Sequence, residues 1–199
     1  MAPSSQHREP PGNPGRFRQA GLVLQGNFFT KESGQADFIQ PTATADKGSL
    51  HLEARYNYEA LNTGSLWLGW NLSWGSGPKL TLTPEMGGVF GAVVGLAPGV
   101  EWDLTWGPLE VQSQNEFLFD FTDWSASDYN YWAEVRLWLC TWLRSGVALQ
   151  HTRAIETHRP AQWGPLLGVN VWRITVSAYW MLPGHPDEQY WLLSVGSSL

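Results

Sequence analysis

The strongest constraint on this chain is a two-residue repeat of apolar side chains that recurs from Leu50 onward. Over residues 50–58 the apolar set Leu50, Leu52, Ala54, Tyr56 and Tyr58 alternates with His51, Glu53, Arg55 and Asn57. A period of two places successive side chains on opposite faces of an extended strand, whereas an amphipathic helix needs a period near 3.6. The pattern recurs as Leu66, Leu68, Trp70, Leu72, Trp74, as Val100, Trp102, Leu104, Trp106, and as Tyr129, Tyr131, Ala133, Val135, Leu137. It closes with Ile174, Val176, Ala178, Trp180 and then Trp191, Leu193, Val195. No helical stripe competes with it. The chain is expected to be all-β.

Between turn signals the alternation predicts about twelve strands, at 20–29, 38–45, 49–58, 65–74, 79–90, 99–106, 109–120, 129–139, 143–152, 161–171, 173–182 and 190–199. Pro41 and Pro84 weaken the second and fifth, because proline cannot donate to a ladder. The connections alternate in length: 46–48, 75–78, 107–108, 140–142 and 172–173 are short, and those between them are longer. Short turns then gather at one end and long loops at the other, as in an up-and-down antiparallel meander.

Two solvents can satisfy such a face. In a soluble barrel or sandwich the apolar stripes form the core; in a transmembrane barrel they meet lipid, and the polar stripes line the lumen. Charged residues make up only 15% of the chain, and there are 13 Trp; soluble domains usually carry about 25% charge. Tyr58, Trp74, Trp106, Phe119, Tyr129, Trp180 and Trp191 stand near predicted strand ends, where an interfacial aromatic girdle would stand. Strands of about 9–11 residues cross a bilayer when tilted. The polar faces mix Gly69, Gly146, Gly164, Gly168 and Gly196 with Gln, Asn, Ser, Glu and Arg, which suits a crowded interior.

On the dyad repeats at 50–58 and 66–74, the alternation of loops and turns, and a last strand at 191–199, residues 20–199 resemble bacterial outer-membrane β-barrel proteins of the small, uncharacterised porin-like kind. The resemblance implies a transmembrane antiparallel β-barrel over 19–199, a lipid bilayer as partner, and residence in the bacterial outer membrane with short turns and termini toward the periplasm. Leu199 stands where that family usually ends on an aromatic residue. Residues 1–18 carry four prolines and no apolar core, so they are expected to form a disordered tail rather than a secretory signal.

With the apolar face outward, the lumen is expected to carry Glu53, Glu85, Glu101, Asp103, Glu110, Glu116, Asp120 and Glu134, countered by Arg55, Arg136 and Arg144. That acid excess favours small cations or neutral solutes. Bulky Trp67, Trp132, Trp138 and Tyr179 on the same face make the pore narrow or plugged.

Other chemistries find little support. His151 precedes Thr152, but adjacent strand residues face opposite ways and cannot form a dyad, so no catalysis is expected. His158, His185, Asp187 and Glu188 are loop residues read as solvated, and no metal or cofactor is assigned. One cysteine, Cys140, excludes an intramolecular disulfide and multi-cysteine metal sites. A net charge of −6 argues against nucleic acid. Residues 87–100, the longest nearly apolar stretch, hold five Gly and a Pro, and are too short for a membrane helix. The alternative is a soluble Trp-rich binding protein for a carbohydrate or apolar ligand, with Trp124 as an exposed loop platform.

Overall fold

The computed structural model describes residues 21–31, 37–151 and 161–198. The tail expected over 1–18 lies outside them, as do Thr152, His158 and Leu199. The strands are β1 (Gly21–Lys31), β2 (Phe38–Lys47), β3 (Leu50–Tyr56), β4 (Thr63–Trp70), β5 (Leu72–Trp74), β6 (Lys79–Gly91) and β7 (Gly95–Trp106). They continue as β8 (Leu109–Asp120), β9 (Asp128–Trp138), β10 (Leu143–His151), β11 (Gln162–Val171), β12 (Ile174–Met181) and β13 (Tyr190–Ser198). All pairings are antiparallel. The first strand meets the last, with Val23 opposite Ser198, and β4 meets β6, so the sheet closes on itself. Closure leaves no unpaired edge.

The thirteen segments make twelve staves, because β4 and β5 are one stave with a gap. Both pair with β6 in a single register, Gly69 opposite Glu85 and Leu72 opposite Leu82. Continuing that register sets Trp70 and Asn71, where pairing lapses, opposite Pro84 and Thr83. Proline has no N–H to give the ladder, so Pro84 is accommodated where its neighbour is broken. The Asn71 N–H, which faces β3, continues that ladder to the Ser49 carbonyl at 2.7 Å.

Besides that gap, sequence and structure differ at two boundaries that shape the interior. The connection expected over 91–98 shrinks to residues 92–94, because β7 begins at Gly95 rather than 99. Leu96 points out and Ala97 in, so the alternation runs through glycines and a proline that read as a loop. The third strand stops at Tyr56, two residues early. Asn57 takes a left-handed φ of 58° there, and its N–H bonds back to the Thr63 carbonyl.

Burial is inverted relative to a water-soluble barrel. Leu52, Leu66, Leu68, Val135, Leu137, Val147, Leu167 and Leu193 are exposed on the outside. Glu53, Arg55, Glu85, Glu101, Glu134 and Arg136 are buried inside. The interior is not wholly polar. Trp67, Val89, Val93, Ala97 and Leu118 form one apolar cluster, and Ala148, Leu166, Tyr179, Met181, Leu182, Tyr190 and Leu192 form another. Inward glycines make room for large neighbours: a Cβ on Gly87 would lie 2.5 Å from the Trp67 ring, and one on Gly168 2.6 Å from Arg144 Nε.

Candidate functional site in the barrel interior

Strand alternation sends His51, Glu53 and Arg55 of β3 inward together, and closure brings Glu85 of β6, Glu101 of β7 and Glu116 of β8 to meet them. Arg55 is the hub. Its Nε donates to Glu53 Oε1, Nη1 lies 2.6 Å from Glu116 Oε2, and Nη2 lies 3.4 Å from Glu85 Oε1 and 3.5 Å from Glu101 Oε1. Its guanidinium also lies over the rings of Trp67, at 4.2 Å, and Tyr58, at 4.6 Å. Arg supports such a cluster because its planar fork offers five donors and stays charged. Burying an ion costs several kcal/mol unless it is paired and hydrogen-bonded, and Arg55 has both kinds of partner.

His51, fully buried, sits on the other side of the same acids. Asp46 Oδ1 lies 2.8 Å from its Nδ1. Its Nε2 lies 3.6 Å from Glu53 Oε2, 3.7 Å from Glu85 Oε2 and 4.0 Å from Glu101 Oε2. Asp46 is fixed in turn by Asn71 Nδ2, which donates to Oδ1 at 2.6 Å, while Thr83 Oγ1 donates to Asn71 Oδ1 at 2.7 Å. Asn71 keeps the inward phase of Ser65, Trp67 and Gly69 across the gap, and that phase places the side chain that holds Asp46.

A second group collects on β8 to β12. Arg136 Nε lies 3.4 Å from Glu110 Oε2, Nη1 3.3 Å from Glu134 Oε2, and Nη2 donates to Gln112 Oε1 at 2.7 Å. Glu134 Oε1 also accepts from Tyr179 OH and Trp132 Nε1, each at 2.8 Å. Arg144 donates to Ser177 Oγ at 2.9 Å and lies over Trp138.

Of the acids expected in the lumen, Glu53, Glu85, Glu101 and Glu116 gather around Arg55, and Glu110 and Glu134 around Arg136. Asp103 borders the cavity described below. Asp120 is buried but serves the loop at 121–127: its Oδ1 accepts from the N–H groups of Thr122 and Asp123 and from Thr122 Oγ1. Sequence reasoning passed over His51, Asp46 and Glu59. The first was legible as the His51–Glu53–Arg55 triplet on one face. Glu59 lies in the loop after β3, fully buried, and accepts from Ser65 Oγ and Trp67 Nε1.

Of the aromatic residues expected in a girdle, Trp74 and Trp106 are exposed at the short-turn end, and Tyr129, Trp180 and Trp191 at the long-loop end. Trp180 and Trp191 stack at 5.8 Å, and Phe119 stacks on Trp124 at 5.6 Å. Tyr58 is the exception. Beyond the early end of β3 it turns inward, where its hydroxyl donates to Gln114 Oε1 at 2.8 Å. Trp124, the expected loop platform, is exposed.

Between the two charged groups runs a cavity of about 140 Å³, with Gln40, Thr42 and Thr44 on one wall and Glu101, Gln114 and Glu134 among the residues opposite. At the long-loop end it reaches His151, whose Nε2 lies 3.2 Å from Asp128 Oδ2. Among the described residues, the His, Cys, Asp and Glu side chains that bring three donor atoms within 4.8 Å of one another are His51, Glu85 and Glu101, not the loop residues His185, Asp187 and Glu188.

No protein-family model matches the sequence, and no curated protein matches it. Solved structures do. The outer membrane protein Omp33 of Acinetobacter baumannii is similar over 92% of this chain and 99% of its own, with 12% identity and a TM-score of 0.53. The NanC porin is similar over 89% of this chain and 98% of its own, with 11% identity and a TM-score of 0.57. The fold is that of bacterial outer-membrane porin-like barrels.

Proposed function

We propose that the chain spans a bacterial outer membrane, short turns toward the periplasm, and that its interior is a constricted, acid-lined passage for small cations or neutral solutes, with no catalytic role. The observation that carries this reading is the inverted burial: large apolar side chains cover the outside and paired charges fill the inside. At about 25 cal/mol per Å² of apolar area, an exterior this greasy would drive a lone barrel out of water. The exposed Trp74, Trp106, Trp142 and Trp172 at one end, and Tyr129, Trp163, Trp180 and Trp191 at the other, suit two interfacial belts.

Constriction follows from the side chains that fill the bore. The Arg55 and Arg136 groups, with Trp67 and Tyr179, leave the cavity along the β1–β2 wall as the free path. The carboxylates facing it favour cations by charge. We assign no catalytic role because the carboxylates around the cavity are engaged by Arg55 and Arg136.

The test is heat-modifiable gel migration after refolding from urea into detergent micelles, followed by single-channel recording in a planar bilayer. The expected result is a fast-running unboiled band, then small currents whose reversal potential in asymmetric KCl has the sign of cation preference. A monomer soluble in plain buffer, with no band shift, would overturn the reading and favour the soluble Trp-rich binder.

A further inference from the structure

Glu53, Glu85 and Glu101 share an unusual division of labour. Each turns Oε1 to the Arg55 guanidinium and Oε2 toward His51 Nε2. The carboxylates are thus held by one cation on one side and converge on a point beside an imidazole on the other. The distances from His51 Nε2, at 3.6, 3.7 and 4.0 Å, exceed hydrogen-bond length. They are close to the separation of ligands around one metal: bonds of about 2.0–2.2 Å in a tetrahedron put donor atoms about 3.4 Å apart. The donor atoms of His51, Glu85 and Glu101 all lie within 4.8 Å of one another, so a contraction of about 1 Å would seat an ion among them.

The imidazole is prepared for that role. In the neutral tautomer that donates Nδ1–H to Asp46, the Nε2 lone pair faces the carboxylates, the carboxylate–histidine arrangement common behind metal ligands. Asn71 and Thr83 hold Asp46 in place. Charge points the same way. Asp46, Glu53, Glu59, Glu85, Glu101 and Glu116 crowd around Arg55 and His51, an acid excess that bound protons or a counter-cation would relieve. Access exists, since Asp46, Glu53 and Glu101 border the cavity.

We propose that His51, Glu85 and Glu101 form a divalent transition-metal site in the wall of the barrel interior, with Glu53, whose Oε2 accepts from Thr44 Oγ1 at 3.0 Å, beside it. One imidazole among carboxylates suits Zn²⁺ or a neighbouring first-row ion, and not Ca²⁺ or Mg²⁺, which take oxygen ligands throughout. The site depends on the barrel fold and not on whether the passage conducts.

The test uses the full chain refolded in micelles, stripped with a chelator and dialysed, with Zn²⁺ titrated calorimetrically and Co²⁺ as the optical reporter of ligand type. One ion per barrel is expected. His51→Gln and Glu101→Gln should each weaken binding at least about tenfold, and Asp46→Asn, which would reach the ion only through the imidazole, by about 10–100-fold. Glu110→Gln, in the other charged group, should bind as the parent does. Each variant is first checked for the unboiled band shift. Should His51→Gln not fold, Asp46→Asn and Glu101→Gln decide the matter. A folded barrel that takes up no ion, or whose affinity is unmoved by the substitutions in this cluster, overturns the proposal.

Discussion

Arg55 on β3 and Glu116 on β8, 61 residues apart in sequence, meet inside the barrel with Nη1 2.6 Å from Oε2. The contact ties together staves that do not touch along the sheet. Removing the shared cation strands several buried carboxylates at once. Arg55→Met is expected to destabilise the folded barrel by about 3–5 kcal/mol, the usual consequence of leaving a buried charge uncompensated. Urea unfolding in lipid vesicles measures it. The double variant Arg55→Met, Glu116→Gln should recover part of the loss; a double variant no better than the single one would show that Glu116 is not the acid most dependent on Arg55.

Two adjacent glycines give a sharper local test. Gly87 faces inward beneath Trp67, and an added Cβ would lie 2.5 Å from that ring; Gly88 faces outward with nothing within 4 Å of the same atom. Gly87→Ala should therefore cost about 1–3 kcal/mol through overpacking, while Gly88→Ala stays within about 0.5 kcal/mol. Equal unfolding midpoints for the two would contradict the placement of Trp67.

Depth along the outer face offers a test of the lipid contact. Val147 lies mid-way along β10, and Val171 ends β11 at the short turns, both exposed. A membrane barrel should lose about 2–4 kcal/mol on Val147→Arg but only about 0–1 kcal/mol on Val171→Arg, because the charge reaches water at the interface. A face bathed in water would tolerate both alike.

Selectivity tests the passage itself. Under the proposed cation preference, Asp103→Asn combined with Glu134→Gln, both bordering the cavity, should move the reversal potential in asymmetric KCl toward zero. A potential that stays put would take those two carboxylates off the path.

Much of this was legible in one dimension. The alternation of Leu50, Leu52 and Tyr56 with His51, Glu53 and Arg55 already distinguishes the two faces, because a strand has only two. Short turns such as 107–108 and 172–173 fix which ends share a side. What alternation cannot convey is which inward residues meet, since that depends on the register and stagger of the closed sheet. Nothing local to Glu116 points to Arg55, and nothing local to Glu101 points to His51. Tyr58 misled for a related reason: it keeps the apolar phase of β3 but lies past the strand's end, where a left-handed Asn57 resets the direction of the side chains. The gap at Asn71 was hidden too, as its cause is Pro84, on the next stave.

The seam where Val23 faces Ser198 has a consequence for how the molecule is made. Among the described residues, every other stave pairs with its neighbour in sequence, so the cylinder can be laid down hairpin by hairpin with short loop closures. The seam joins the two extremes of the chain and is entropically the hardest contact to form. Until it forms, β1 and β13 are raw edges able to recruit any passing strand. Assembly thus runs as a race between ring closure and misjoining, and whatever shields those two edges in the meantime sets the yield.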